Sequence, residues 1–295
     1  MTSVKDSRVW FITGTSQGLG KSILTYVLEQ NERVVATLRN PSDLADLEEK
    51  YPPEQLLVLR VDVTKPSDIS DAFKKTEEHF HRLDVVVNNA AYGLTGEIEA
   101  TPDDAARLQM EVLFWGAANV TREAIRFFRE VNPPGHGGRI FNMSSIGGYT
   151  GNPGLAFYSA AKFALEGFTE SFVREMPPEW NITGVIVEPG GLQTNGRHSM
   201  VVVPKHPAYS KDSPSQAFYE QMMRVPFTGD TRKAAKVIFD VAGVAKPPLR
   251  LPMGSIGWSV IVDKAKETLR EAEEWKDVSC STNVDWFSAD IKEAM

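Results

Sequence analysis

The chain reads as an α/β protein built on a doubly wound parallel sheet. Seven β-rich segments predict it: Val9–Thr13, Arg33–Leu38, Leu56–Val63, Asp84–Asn88, Arg139–Ser144, Thr183–Glu188 and Leu249–Met253. Most are continuous apolar runs rather than alternating ones, as strands buried on both faces of a parallel sheet must be. Helix-length stretches fill the gaps, among them Gly20–Gln30, Pro66–His79, Pro102–Arg129, Ala156–Met176 and Thr231–Val241. Repeated strand–helix–strand order implies right-handed crossovers, which lay helices on both faces of the sheet.

A length of 295 residues suits one large domain, with enough chain to bury a core without metal or cross-links. The single cysteine, Cys280, cannot form an internal disulfide, which fits a reducing compartment. A net charge of -7 without any basic block argues against nucleic acid as a partner. The opening MTSVKDSRVWFITG lacks the charged head and long apolar run of a signal peptide. The longest apolar stretches, such as Ser255–Val262, are too short for a membrane span. A soluble, cytoplasmic protein is expected. Within one domain of residues 1–295, two segments stand apart. Residues 196–229 hold four prolines and little periodicity, and read as a substrate-loop insertion. Its Met200, Val201, Tyr209, Phe218 and Met222 suit a lid over a greasy substrate, or equally a core flap or oligomer contact. Residues 262–295 read as a charged C-terminal helix and polar tail.

Thr13-Gly14-Thr15-Ser16-Gln17-Gly18-Leu19-Gly20 lies between the first strand and the first helix. Glycines there let the backbone turn sharply and approach a pyrophosphate, while the helix N-terminus offers free N–H groups. Gly14, Ser16, Gly18, Leu19 and Gly20 are therefore candidate cofactor contacts. The second strand ends Ala36-Thr37-Leu38-Arg39-Asn40, without the acid that would hydrogen-bond a ribose 2′-hydroxyl. Arg39 offers a cationic fork for a 2′-phosphate, and Ser16 a hydroxyl, so NADP(H) is favoured over NAD(H). Asp62 and Val63 end the third strand and Asn88-Asn89 the fourth. At those carboxyl ends Asp62 suits an adenine amine and Asn89 the cofactor backbone, or each caps the helix that follows. Pro189, Leu192 and Thr194 follow the sixth strand, with Thr194 placed to reach the carboxamide or pyrophosphate.

Tyr158 and Lys162 sit four apart on a helical stretch and share one face. An ammonium one turn away is expected to lower a phenol's pKa toward useful acid–base work. Ser145 lies thirteen residues before Tyr158, enough chain for its hydroxyl and the phenol to meet one carbonyl oxygen. His79 and His81 flank Phe80 at positions that diverge on a helix, so no metal site is expected.

The ordered set TGTSQGLG, Asp62-Val63-Thr64, Asn88-Asn89-Ala90-Ala91, Ser144-Ser145, YSAAK and PGGLQT resembles the short-chain dehydrogenase/reductase family over about residues 8–195. GDTRKAA and PPLRLPMG resemble a carbonyl reductase branch of it. The resemblance implies a seven-stranded parallel sheet of Rossmann type and a catalytic set of Ser145, Tyr158 and Lys162. It also implies a homodimer or homotetramer. Ser145 would hold the carbonyl oxygen of a small-molecule substrate and Tyr158 would donate the proton. Lys162 would tune Tyr158 and bind the nicotinamide ribose. Two positions depart from the family pattern. Leu113 stands where an Asn normally holds a relay water, which leucine cannot do. Ala91 replaces a glycine, which is tolerable if its φ is negative. Leu113 leaves open a redox-neutral isomerase or cyclase, or a cofactor-binding protein with little catalysis.

Overall fold

The computed structural model describes residues 7–284. The apolar runs form β1 (Val9–Thr13), β2 (Arg33–Leu38), β3 (Leu56–Arg60), β4 (Val85–Asn88), β6 (Gly138–Met143), β7 (Ile182–Pro189) and β9 (Arg250–Met253), with β5 a short pair-forming segment at Leu94–Thr95. The seven long strands make one sheet in the order β3-β2-β1-β4-β6-β7-β9, every pairing parallel. The chain winds outward from β1 to β3, then returns to the other side of β1 at β4. That reversal opens a crevice at the strands' carboxyl ends, where such sheets bind ligands.

β1 shows why the runs are continuous. Trp10 and Ile12 join a core with Ile23, Leu24 and Leu28 of α1 (Gly18–Glu29) and Ile238 of α8 (Thr231–Ala242). Val9 and Phe11 point the other way, into a core with Phe73 of α3 (Pro66–Phe80), Phe127 of α5 (Ala117–Glu130) and Phe172 of α6 (Ala156–Glu175). Alternate side chains serve opposite layers, so every position must be apolar. Phe11 stacks on Phe73 at 4.5 Å between ring centroids.

Three expectations change. The helix read as Pro102–Arg129 is interrupted: α4 (Asp103–Met110) passes through a π-helical turn, Glu111–Gly116, into α5. Gly116 there lies so close to Val63 that a Cβ would come within 2.9 Å of it. Residues 196–229 are more regular than their periodicity suggests. They contain β8 (Val201–Val202), paired with β5, and α7 (Pro214–Arg224). A two-residue strand has no period to detect and depends on its partner. The C-terminal helix begins well before residue 262, as α9 (Gly254–Glu274) directly after β9, and continues into α10 (Lys276–Cys280). The tail beyond residue 284 lies outside the described residues. α2 (Ala45–Lys50) completes the element set. No helix among the described residues is long and apolar enough to cross a membrane.

Candidate active site

The glycine loop is a backbone construction. Gly14 and Gly18 adopt φ of 68° and 59°, a region that side chains disfavour. A Cβ on Gly14 would sit 2.7 Å from the Ala90 backbone, and one on Gly20 would collide with the Gly14 carbonyl and Asn89. Asn89 donates from Nδ2 to the carbonyls of Thr13 and Gly14, each at 3.0 Å. Thr13 Oγ1 accepts the Asn89 and Ala90 amides at 2.9 and 3.0 Å. Asn89 thus shapes the loop. α1 opens with Gln17 making no side-chain cap and without an acid in its first turn, so its leading N–H groups stay available to an anion. A cleft of about 540 Å³ lies over this helix end, lined by Gly18, Lys21, Ser22, Gln193, Thr194 and Thr231 among others. Polar lining, uncapped amides and glycines at the points of closest backbone approach fit the pyrophosphate of a dinucleotide. Lys21 and Ser22 carried no motif signal, while Thr231 lies in the GDTRKAA segment. Ser22 donates to Thr231 at 2.9 Å across the cleft floor.

The Gly14 and Thr15 amides both donate to the Thr37 carbonyl at 2.9 and 3.2 Å, which draws the half-buried Ser16 toward the end of β2. Arg39 is exposed there and makes no hydrogen bond or ion pair among the described residues. Asp62 Oδ1 accepts from the Thr64 amide and hydroxyl at 3.1 and 2.8 Å, closing a local turn; it does not cap α3, whose N-cap is Lys65. Val63 is buried against Gly116. Pro189 closes β7, and Leu192 bridges to Gly229 at the base of the insertion. Thr194 faces Gly18, its methyl 3.4 Å from where a Gly18 Cβ would stand. Ala91 is not among the positive-φ residues, so its methyl is accommodated. Leu113 is buried inside the π-helical turn.

Ser145, Tyr158 and Lys162 come together at the carboxyl end of β6. Ser145 and Tyr158 both border Gly147, whose amide donates to Ser145 Oγ at 3.1 Å and where a Cβ would lie 3.0 Å from the phenol ring. Lys162 lies one turn further along α6, its Nζ 5.9 Å from the Tyr158 ring centroid and donating to the Met143 carbonyl at 2.6 Å. The turn Ile146–Gly148, which holds Gly147, packs on the phenol. The expected lowering of the phenol's pKa is not found. Burial pushes Tyr158 up, opposed only by the Ser145 hydroxyl, because removal from water penalises the phenolate. Burial also pulls the Lys162 ammonium down to about 8, against the attraction of Glu166. The phenol therefore stays protonated near neutrality, the form a proton donor needs.

Behind this trio is a cluster that draws Ser144 from the Ser144-Ser145 strand end and Arg250 from the PPLRLPMG segment. Ser144 donates to Glu166 Oε1 at 2.5 Å, and Arg250 Nη1 donates to Glu166 and Glu188, each at 2.6 Å. Glu166 had no site reading from the sequence; the four-residue step from Lys162 is the one spacing that could have pointed to it. Arg250 and Glu188 reach the cluster through the β7–β9 pairing.

Residues 8–201 match the family model described as short chain dehydrogenase. The chain is 38% identical over 274 residues to an uncharacterised oxidoreductase of Schizosaccharomyces pombe, covering 92% of this chain and 90% of that one. It is likewise 38% identical over 280 residues to oxidoreductase calM of Penicillium decumbens, covering 92% and 91%. A solved short-chain dehydrogenase from Streptomyces avermitilis superposes with a TM-score of 0.85 at 31% identity, over 95% of this chain and 99% of that one.

Proposed function

As the chain belongs to the short-chain dehydrogenase/reductase family of oxidoreductases, we propose that it transfers hydride between NADP(H) and a carbonyl or alcohol carbon of a medium-sized hydrophobic substrate. A ketone of polyketide-like or steroid-like shape suits it. The observation that carries this reading is the convergence of Ser145 and Tyr158 on either side of Gly147, with Lys162 one turn behind. The bound nicotinamide supplies or accepts the hydride. Ser145 orients the substrate oxygen. Tyr158, protonated at neutral pH, gives its proton to that oxygen as negative charge develops there. Lys162, held by the Met143 carbonyl, places a positive charge beside the phenol. Gly14, Ser16, Gly18, Leu19 and Gly20 hold the pyrophosphate side, with Asn89, Pro189, Leu192 and Thr194 on the opposite wall. Arg39 selects the 2′-phosphate, and Asp62 and Val63 border the adenine. Apolar side chains in residues 196–229 favour a greasy substrate.

The relatives are oxidoreductases, so the redox-neutral and non-catalytic readings are not favoured despite Leu113. The chain is expected to act in the cytoplasm as a homodimer or homotetramer. Half-exposed Trp115 and Phe163, on the π-helical turn and α6, suit a subunit contact. The function is tested by NADPH consumption against a panel of bulky ketones. Tyr158→Phe should lower turnover by about a hundredfold or more while leaving NADPH binding intact. A Tyr158→Phe enzyme as fast as the parent would remove Tyr158 as the acid.

A further inference from the structure

Tyr158, Lys162 and Glu166 occupy successive turns of α6, so one stripe of the helix carries a phenol, an ammonium and a carboxyl. The first two belong to the site above. Glu166 does not touch the substrate side. It is almost fully buried, as is Ser144. Ser144 and Ser145 are adjacent at the end of β6, where neighbouring side chains diverge. Ser145 faces Tyr158 and Ser144 bonds to Glu166. Gly148 seals the second contact, since a Cβ there would collide with both Ser144 Oγ and Glu166. Met143, which accepts the Lys162 ammonium, is the residue before Ser144. The three groups of the catalytic set are thus tied to one carboxyl through a single strand end.

We propose that Glu166 is a positioning residue: it holds the Ser144 end of β6 and, through space, sustains the positive charge on Lys162 that Tyr158 requires. This rests on the hydride-transfer reading. The charged groups around Glu166 come from every element packed on it. Lys162 and Glu170 lie on α6, Glu188 on β7 and Arg250 on β9, with Arg250 lying over the Tyr149 ring at 5.1 Å. Arg250 pairs with Glu166 and Glu188, while Glu170 is held mainly by Arg174 at 2.5 Å, and Glu188 Oε2 has no hydrogen-bond partner among the described residues. Glu166 and Glu188 thus share one guanidinium between two carboxyls. The Glu166 charge that Arg250 leaves unbalanced faces Lys162, one turn back on α6, and favours its ammonium. Burial pushes the Glu166 carboxyl up to about 7, opposed by Ser144 and Arg250. The charge facing Lys162 consequently grows across the neutral range.

The test follows Lys162 directly, by competitive acetylation with trace acetic anhydride and mass spectrometry of the Lys162 peptide over a pH series. This needs neither substrate nor turnover. Glu166→Gln keeps the shape and removes the charge, so the Lys162 midpoint should fall by about one pH unit. The alkaline limb of kcat/KM for NADPH-dependent ketone reduction should move the same way. Glu166→Asp should restore most of the shift. Ser144→Ala keeps the carboxyl but removes the hydroxyl that favours its charged form, and should give a smaller shift in the same direction. An unchanged Lys162 midpoint in Glu166→Gln, with rates lowered by one factor at every pH, would overturn the proposal. Should Glu166→Gln fail to fold, an unchanged midpoint in Ser144→Ala overturns it instead. A shifted midpoint in a protein that oxidises NADPH with none of the ketones would support the Glu166–Lys162 coupling while sinking the reductase reading.

Discussion

Single residues in the glycine loop and at the end of β2 bear on the proposed cofactor site. Gly14, Gly18 and Gly20 were legible because their requirement is local: a left-handed φ or a backbone approach that any Cβ would block. Arg39 was legible for the opposite reason, as a missing acid at a strand end. Its exposed guanidinium makes no hydrogen bond or close ion pair among the described residues and interacts with Asp62 only through space, which leaves its donors open to a phosphate. Arg39→Asp replaces that cation with a charge that repels the 2′-phosphate and accepts from a 2′-hydroxyl. The ratio of kcat/KM for NADPH over NADH should fall at least about tenfold, or ~1.4 kcal/mol. An unaltered ratio would remove Arg39 from cofactor choice. Asp62 reads differently once folded, because Thr64 occupies one of its oxygens.

Among the elements, the insertion of residues 196–229 departs furthest from its sequence. It is fastened at several points. The Val201 and Val203 amides donate to the Gly93 and Thr95 carbonyls at 2.9 and 2.8 Å. Arg197 lies 3.8 Å from the Phe227 ring centroid and donates to the Met223 and Val225 carbonyls. The buried Glu97 carboxylate accepts from the Ser215 hydroxyl at 2.9 Å and the His206 amide at 3.3 Å. Burial opposes its charge, but Ser215 and these amides hold its pKa below the ordinary carboxylate range. Glu97 is thus a charged latch near neutrality, joining the body to α7. Glu97→Ala should cost this segment about 1–3 kcal/mol. We expect faster hydrogen exchange at His206 and Ser215 and a raised KM for the bulky substrate, with NADPH affinity unchanged. Exchange at the parental rate would show that the latch bears no strain. None of this had a period or motif to reveal it; the break between α4 and α5 was hidden similarly, by a turn whose residues are all compatible with a plain helix.

For the whole molecule, buried charge at the sheet's carboxyl edge links stability to pH. Glu166 titrates near 7 in the fold against 4.5 in the open chain, so the native state holds that proton more tightly. Its contribution to stability is complete below pH 4.5 and is lost as pH rises through 7. Glu188 is raised by burial in the same direction. Lys162, lowered to about 8 from 10.5, contributes stability that is present above 10.5 and lost as pH falls through 8. Together these groups place a dip in stability between about pH 7 and 8. Glu166→Gln removes the acid side of the dip. Its unfolding free energy relative to the parent should therefore rise by on the order of 3 kcal/mol between pH 4.5 and 7. Urea denaturation at those two pH values measures this, and a constant difference would mean that Glu166 does not titrate in that window.

The amino-acid order alone determined the seven strands of the main sheet, the glycine cradle and the nearness of Tyr158 to Lys162 on one helix. Each of these is written in short-range spacing: apolar runs that must face two layers, glycines where a Cβ has no room, a four-residue step on one helix. Tertiary structure alone decided the rest. Glu166, Ser144, Glu188 and Arg250 meet only because parallel pairing brings four chain segments to one edge. The direction of the Tyr158 shift likewise depends on burial, since desolvation comes from every neighbour at once and no stretch of sequence encodes it.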